Sequence, residues 1–411
     1  MRQKGKWGWL KHDITHRGVT AWAVFLAMAT FYFFLYFPDK LGEFGQVMGA
    51  SKETQTSLYA LGNDLNIFEK FMRNLGGERT SQGWDPIWNK WTLYGMIYTL
   101  AITVGGIVAS RKYSHNRYQV IRMVAIICVQ VLFAFSLPMI MASSEQTSSL
   151  HYSGGYYFSY FWPLKVEYMW PDKLSGMPLY LMLYSVLGAL LFVPLMGVFF
   201  GKRWYCAWVC GCGGLANTYG DGWRHLSNKS QAAWSFEKFS IHSVLVLAIA
   251  TTGILGLSSM AGDQYPQLGQ AAKILKFFYG FIVVALLSGA IGTALYPLGG
   301  TRVWCRFFCP LAAILGLVQK FGRYRITVKK NMCISCGLCS KYCEMGIDVR
   351  AYAQNNQSFV RASCVGCGLC AEVCPRGVLR LENRWDNDPQ ELSMNMLVTE
   401  SYKAEPEIKA H

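Results

Sequence analysis

Six apolar blocks, near residues 18–37, 91–109, 120–142, 178–200, 240–260 and 275–297, are each long enough to cross a bilayer as a helix. One such block is often a buried core helix. Six in a row, with charges confined to the connections, predict a helical membrane domain. The chain has 411 residues, 52% of them hydrophobic, and a net charge of +15, an apolar content too high for an ordinary soluble protein. Pro38-Asp39-Lys40 follows the first block without a small-x-small cleavage pattern, so the block is expected to be a retained helix.

Lysine and arginine divide unevenly between the two sets of connections. Residues 1–17, 110–122, 201–239 and 298–411 carry 29 of them, and the alternate connections carry 10. The richer side is expected to be cytoplasmic, with both termini on it. The C-terminal segment supplies 15 of the 29, but the short loops holding Arg111-Lys112 and Lys202-Arg203 point the same way. A basic inner face against anionic lipid accounts for the net charge without a nucleic-acid partner.

The C-terminal segment holds two copies of one ligand pattern. The first is Cys333-x2-Cys336-x2-Cys339-x3-Cys343; the second is Cys364-x2-Cys367-x2-Cys370-x3-Cys374, followed by Pro375. This is the spacing of a bacterial ferredoxin with two [4Fe–4S] clusters, in which the fourth cysteine of each run ligates the other cluster. Cys333, Cys336, Cys339 and Cys374 are therefore assigned to one cluster. Cys364, Cys367, Cys370 and Cys343 are assigned to the second. Zinc ribbons use cysteines in pairs rather than runs of three with a trailing fourth. Gly337 and Gly368 occupy the same offset in each copy, where backbone must pass close to sulfide. Glu344 stands where the pattern usually has proline, a departure expected to affect only the local turn. Twelve of the 14 cysteines lie in short ligand-like spacings, which suits thiolates kept reduced better than disulfides.

A second cysteine set follows the fourth and sixth apolar blocks. Gly201-Lys-Arg-Trp-Tyr-Cys206-Ala-Trp-Val-Cys210 aligns without a gap at an offset of 99 with Gly300-Thr-Arg-Val-Trp-Cys305-Arg-Phe-Phe-Cys309. Both copies emerge on the expected cytoplasmic side. Each Cys-x3-Cys places two thiols one helical turn apart. Two such turns brought together give four thiolates, a full ligand set for a third iron–sulfur cluster, for copper(I), or for neither if the thiols are structural. The arginine before each pair is expected to offset thiolate charge. Cys212 has no counterpart and is read as a small buried residue, with a spare ligand as the alternative. Cys128, in the middle of the third block, is read as packing.

Residues 324–331 alternate as a strand, 348–361 suggest a hairpin around Asn355-Asn356, and 377–381 a closing strand, giving a βαβ–βαβ ferredoxin domain. The expected divisions are a cytoplasmic segment 1–17, a six-helix transmembrane domain 18–322, a ferredoxin domain 323–384, and a disordered tail or partner-ordered arm 385–411. The outer loop 151–170 is dense in aromatics. It is read as an interfacial belt, with a quinone-headgroup pocket or docking face as the alternative, and Glu167 is the carboxylate available there. His12 and His16 are read as part of a solvated basic face. His242 has no second intramembrane histidine, so no haem b is expected.

Six helices, two inner-face Cys-x3-Cys turns and a C-terminal two-cluster ferredoxin resemble the membrane polyferredoxin family of NapH-, NosR- and CcoG-type proteins. The resemblance covers residues 90–382. Cys305-x3-Cys309-Pro310 matches the family turn, whereas Cys206-x3-Cys210 is followed by Gly211. No counterpart is expected here of the NosR-type flavin domain, since the loop 38–90 is too short for it, or of the CcoG-type C-terminal sandwich. The resemblance implies an α-helical integral membrane protein with a C-terminal α+β ferredoxin domain. It implies electron exchange with the quinone pool or a membrane redox subunit inside a larger complex, as in a quinol dehydrogenase. A copper-reducing accessory role in oxidase assembly is the second function it implies.

Overall fold

The computed structural model describes residues 18–75, 88–142, 157–262 and 265–383. His12, His16, the first residues of the aromatic loop and the expected arm 385–411 lie outside them. Six helices are long and apolar enough to cross a membrane: Val19–Leu41, Lys90–Lys112, Arg117–Met141, Leu179–Phe200, Gln231–Ala261 and Pro266–Ala294. Their starts carry local signals. Asn89 and Asn116 each accept hydrogen bonds from two backbone N–H groups of the following turn, Ser230 accepts one from Ala233, and Pro266 opens the sixth span. The fifth span begins at Gln231 rather than near 240. Its extra turns mix polar and apolar residues, and they bury Glu237, which accepts the Ser363 hydroxyl of the C-terminal domain.

The two cysteine turns share one backbone course. Gly201 and Gly300 end the preceding helices at φ +66° and +89°, where a side chain would be strained. The N–H of Cys210 then bonds to the carbonyl of Tyr205 (2.8 Å), and that of Cys309 to Trp304 (3.0 Å), a wide π-type closure. Cys210 and Cys309 both turn extended and precede a new helix, Gly211–Asn217 and Pro310–Gln319. The internal repeat is therefore a repeat of conformation as well as of residues.

Tyr324–Val328 (β1) and Leu379–Asn383 (β2) pair antiparallel, with Ile326 opposite Leu381. The expected hairpin over 348–361 is instead a short helix, Val349–Gln354, followed by a single bridge from Phe359 to Ile326. Val349 and Ala353 bury one face of that helix, and the Ser340 hydroxyl accepts the Arg350 N–H at its start (2.7 Å). Asn356, at φ +56°, turns the chain after the helix rather than between two strands. Gly337 (φ +74°) and Gly368 (φ +78°) start the equivalent helices Leu338–Lys341 and Leu369–Glu372 in the left-handed conformation.

The described part of the loop between the third and fourth spans, residues 157–178, packs several of its aromatics into the bundle. Phe161, Val166 and Tyr168 are buried, and Trp162 donates to Thr252 within the fifth span (3.0 Å). Gly188 makes room for Phe161; a methyl there would stand 2.4 Å from its ring. Glu167 lies 2.5 Å from Lys165, and burial pushes its carboxyl up to about 7.

Candidate functional site

Twelve cysteines of the two motif sets line three cavities. The first, about 350 Å³, is lined by Cys333, Cys336, Cys339 and Cys374, together with Arg350 and Arg376. The second, about 370 Å³, is lined by Cys343, Cys364, Cys367 and Cys370. The last cysteine of each run thus faces the cavity of the other. A third cavity, about 270 Å³, brings together Cys206, Cys210, Cys305 and Cys309, and Cys212 lines it too. Among the described residues no three His, Cys, Asp or Glu side chains converge on a point where one ion would sit. The thiols surround volumes instead.

Cys212 is not simply a small packing residue. Its thiol beside Cys210, with the backbone N–H groups of Gly213 and Cys212, outweighs burial and holds the Cys210 thiol down at about 7. Burial pushes Cys206 up to about 12 and raises Cys305 and Cys309 as well. Four buried thiolates left to themselves would be costly, so compensating positive charge suits this donor set. Arg302 supplies part of it, with Nη1 3.6 Å from Cys305 Sγ and 3.2 Å from the Cys206 carbonyl oxygen. Arg203, its partner in the repeat, turns away to lie over the Tyr324 ring, 5.4 Å from the centroid.

Gly213 keeps the turn closed. A methyl there would stand 2.0 Å from the Cys206 carbonyl oxygen, a backbone atom that cannot swing aside. Gly213→Ala is expected to lose whatever the third cavity binds while sparing the other two, as read by metal content per chain.

The ferredoxin domain docks through its second cavity, here called the proximal site. Gln119 Nε2 donates to the Cys367 carbonyl (2.9 Å), Gln319 Nε2 to the carbonyls of Arg361 (2.8 Å) and Cys364 (3.2 Å), and Lys202 Nζ to that of Ala362 (2.7 Å). Glu372 receives Asn116 and lies 3.0 Å from His115. The first cavity is the distal site. Its Cys336 and the neighbouring Ile334 are exposed. The third cavity is here called the inner-face site, after the side expected from the charge distribution.

Glu344 was expected to matter only to a turn. It is instead 1% exposed and lies between two buried arginines, 3.0 Å from Arg302 and 3.2 Å from Arg224. Burial opposes its charge, but Arg224 and Arg302 outweigh that and hold its pKa below the usual carboxylate range. A charged residue replacing proline beside a ligand was the available signal. Cys128 is exposed on the surface of the third span and lines none of the three cavities, and His242 is exposed with Nδ1 2.6 Å from the Lys238 carbonyl.

Six spans long and apolar enough to cross a membrane thus accompany two cysteine-lined cavities of ferredoxin spacing. Residues 326–381 match the 4Fe-4S dicluster domain, and residues 182–229 and 279–329 match a 4Fe-4S binding domain whose two pieces each contain one Cys-x3-Cys turn. These matches agree with the resemblance to the membrane polyferredoxin family. It is 28% identical over 154 residues to the electron transport protein YccM of Escherichia coli, covering 36% of this chain and 43% of that protein. It is 25% identical over 163 residues to the methylamine utilization ferredoxin-type protein MauN of Paracoccus denitrificans, covering 39% and 54%. The chain spans about half the length of the curated relatives it matches. No solved structure matches it.

Proposed function

We propose that this protein carries electrons between the quinone pool, or a membrane redox partner, and a cytoplasmic acceptor or donor, through three iron–sulfur centres. Cys206, Cys210, Cys305 and Cys309 hold the inner-face centre. Cys343, Cys364, Cys367 and Cys370 hold the proximal one, and Cys333, Cys336, Cys339 and Cys374 the distal one. When bound, such clusters supply one-electron transfer at potentials set by charge, hydrogen bonds and exposure. The observation that carries the reading is the order of the sites. The proximal cysteine loop is pinned to the membrane domain beside the inner-face turns, and the distal loop leaves Cys336 exposed. Lys112, Arg111 and Lys202 lie at the same end of the bundle as the ferredoxin domain, which supports a cytoplasmic placement by the positive-inside rule.

The donor set and the shape of the inner-face site favour a cluster there over a single copper ion. Four thiols line one space, and no three of them converge on a point where a single ion would sit, which suits a multi-atom group. Metal analysis of the protein purified without oxygen tests this. About twelve irons per chain are expected, against about eight if only the ferredoxin domain is loaded. Eight irons with one copper would replace this reading with the copper-reducing one. Cys212→Ala is expected to leave the iron count unchanged, because the repeat already supplies two ligands from each copy.

A further inference from the structure

Two buried arginines each hydrogen-bond a cysteine sulfur of a different site. Arg302 Nη1 lies 3.6 Å from Cys305 Sγ of the inner-face site, and Arg224 Nη1 lies 3.7 Å from Cys367 Sγ of the proximal site. Both arginines meet one carboxylate. Arg302 Nη2 is 3.0 Å from Glu344 Oε1, and Arg224 Nη1 is 3.2 Å from Glu344 Oε2. Their three side chains are at most 1% exposed. Arg224 also pairs with Asp221 (3.0 Å), which Lys112 (2.7 Å) and the Tyr113 hydroxyl (2.8 Å) hold from the second span.

We propose that Glu344, with Arg302 and Arg224, is an ion-pair chain that sets the reduction potentials of the inner-face and proximal centres together. The inference deepens the proposed function and rests on clusters occupying those two sites.

The physical argument is electrostatic. Reducing a cluster adds one negative charge. A cationic donor on a ligand sulfur stabilises that charge and raises the potential, and a nearby carboxylate does the reverse. Salt screens such buried groups little. Arg302 therefore raises the inner-face potential and Arg224 the proximal one, whereas Glu344 lowers both because it is shared. The distal cavity is lined by none of the three, and it serves as an internal reference. A fork-shaped guanidinium suits the task, since one Arg302 reaches a sulfur with one nitrogen and the carboxylate with the other. These are positioning and tuning groups, and no proton or electron is routed through them.

Redox titration of the full-length protein in detergent, followed by electron paramagnetic resonance, tests the proposal in E344Q, R302Q and R224Q. E344Q is expected to raise the midpoints of the inner-face and proximal centres and leave the distal one in place. R302Q is expected to lower the inner-face midpoint, and R224Q the proximal one. A merely structural role would broaden signals or lose iron without shifts of opposite sign. Unchanged midpoints in E344Q, or an equal shift of the distal centre, would overturn the proposal. If E344Q does not assemble, the two arginine variants decide, and a shift by R302Q of the distal centre alone sinks it. A wild-type protein with only two centres defeats the three-centre reading instead. The proximal centre then still tests the chain through E344Q and R224Q.

Discussion

Replacing Cys305 by serine is expected to cut the iron content from about twelve atoms per chain to about eight. The remaining eight should keep their spectroscopic signals, because the two ferredoxin cavities take no ligand from residues 201–309. The effect is large because the centre loses one of its four thiolates, and a serine hydroxyl at the same buried position is a much harder, weaker ligand. Cys210→Ser should behave alike. Serine at Cys364 should instead remove a ferredoxin centre, and with it much of the docking loop. An iron count unchanged in Cys305→Ser would show that the inner-face thiols hold no cluster.

The second large effect concerns attachment of the ferredoxin domain. Glu237, in the extended fifth span, accepts from Arg306 Nε (2.7 Å) and from the Ser363 hydroxyl beside Cys364. Arg306 and Glu237 are 3% and 6% exposed. Glu237→Ala leaves a buried guanidinium without its counter-charge, which costs about 3–5 kcal/mol. It also releases Ser363. The connection around Lys320 and Phe321 is already open, with Phe321 77% exposed. Trypsin is therefore expected to cut at Lys320 faster in Glu237→Ala than in the wild type. Glu237→Gln, which keeps an acceptor for Ser363, should fall between them. Equal cutting rates in all three would mean that the contact from Glu237 to Ser363 does not hold the domains together.

Both predictions use residues that differ in how readable they were. Ligand cysteines are legible because cluster geometry demands short, fixed spacings. The spans are legible because bilayer thickness demands length and apolarity. The gap-free repeat at Cys206 and Cys305 was enough to suggest one shared site. Glu237 and Arg224 were not legible, because nothing local separates a buried charge from a solvated one, and for Glu344 only the missing proline beside Cys343 hinted at a role. Their meaning comes from partners far along the chain, Arg306, Ser363 and Arg302 among them. The middle of the ferredoxin domain was misread for a related reason. Asn355-Asn356 is a turn signal in either setting, and burial of Val349 and Ala353 decided for a helix before it. The aromatic loop looked like an interface belt, and in its described part Phe161 and Trp162 pack against the fourth and fifth spans.

By itself, then, the sequence determined the parts: six helices imposed by lipid, and twelve cysteines whose intervals match iron–sulfur ligation. Only the tertiary structure decided how those parts join. It seated the proximal loop on the membrane domain, exposed the distal one, drew Cys212 into the inner-face cavity, and placed one carboxylate between two arginines. Ligand spacing is a short-range demand that a few adjacent residues can meet. Compensation of buried charge is met by whatever group the fold brings near, so it becomes visible only once the chain has folded.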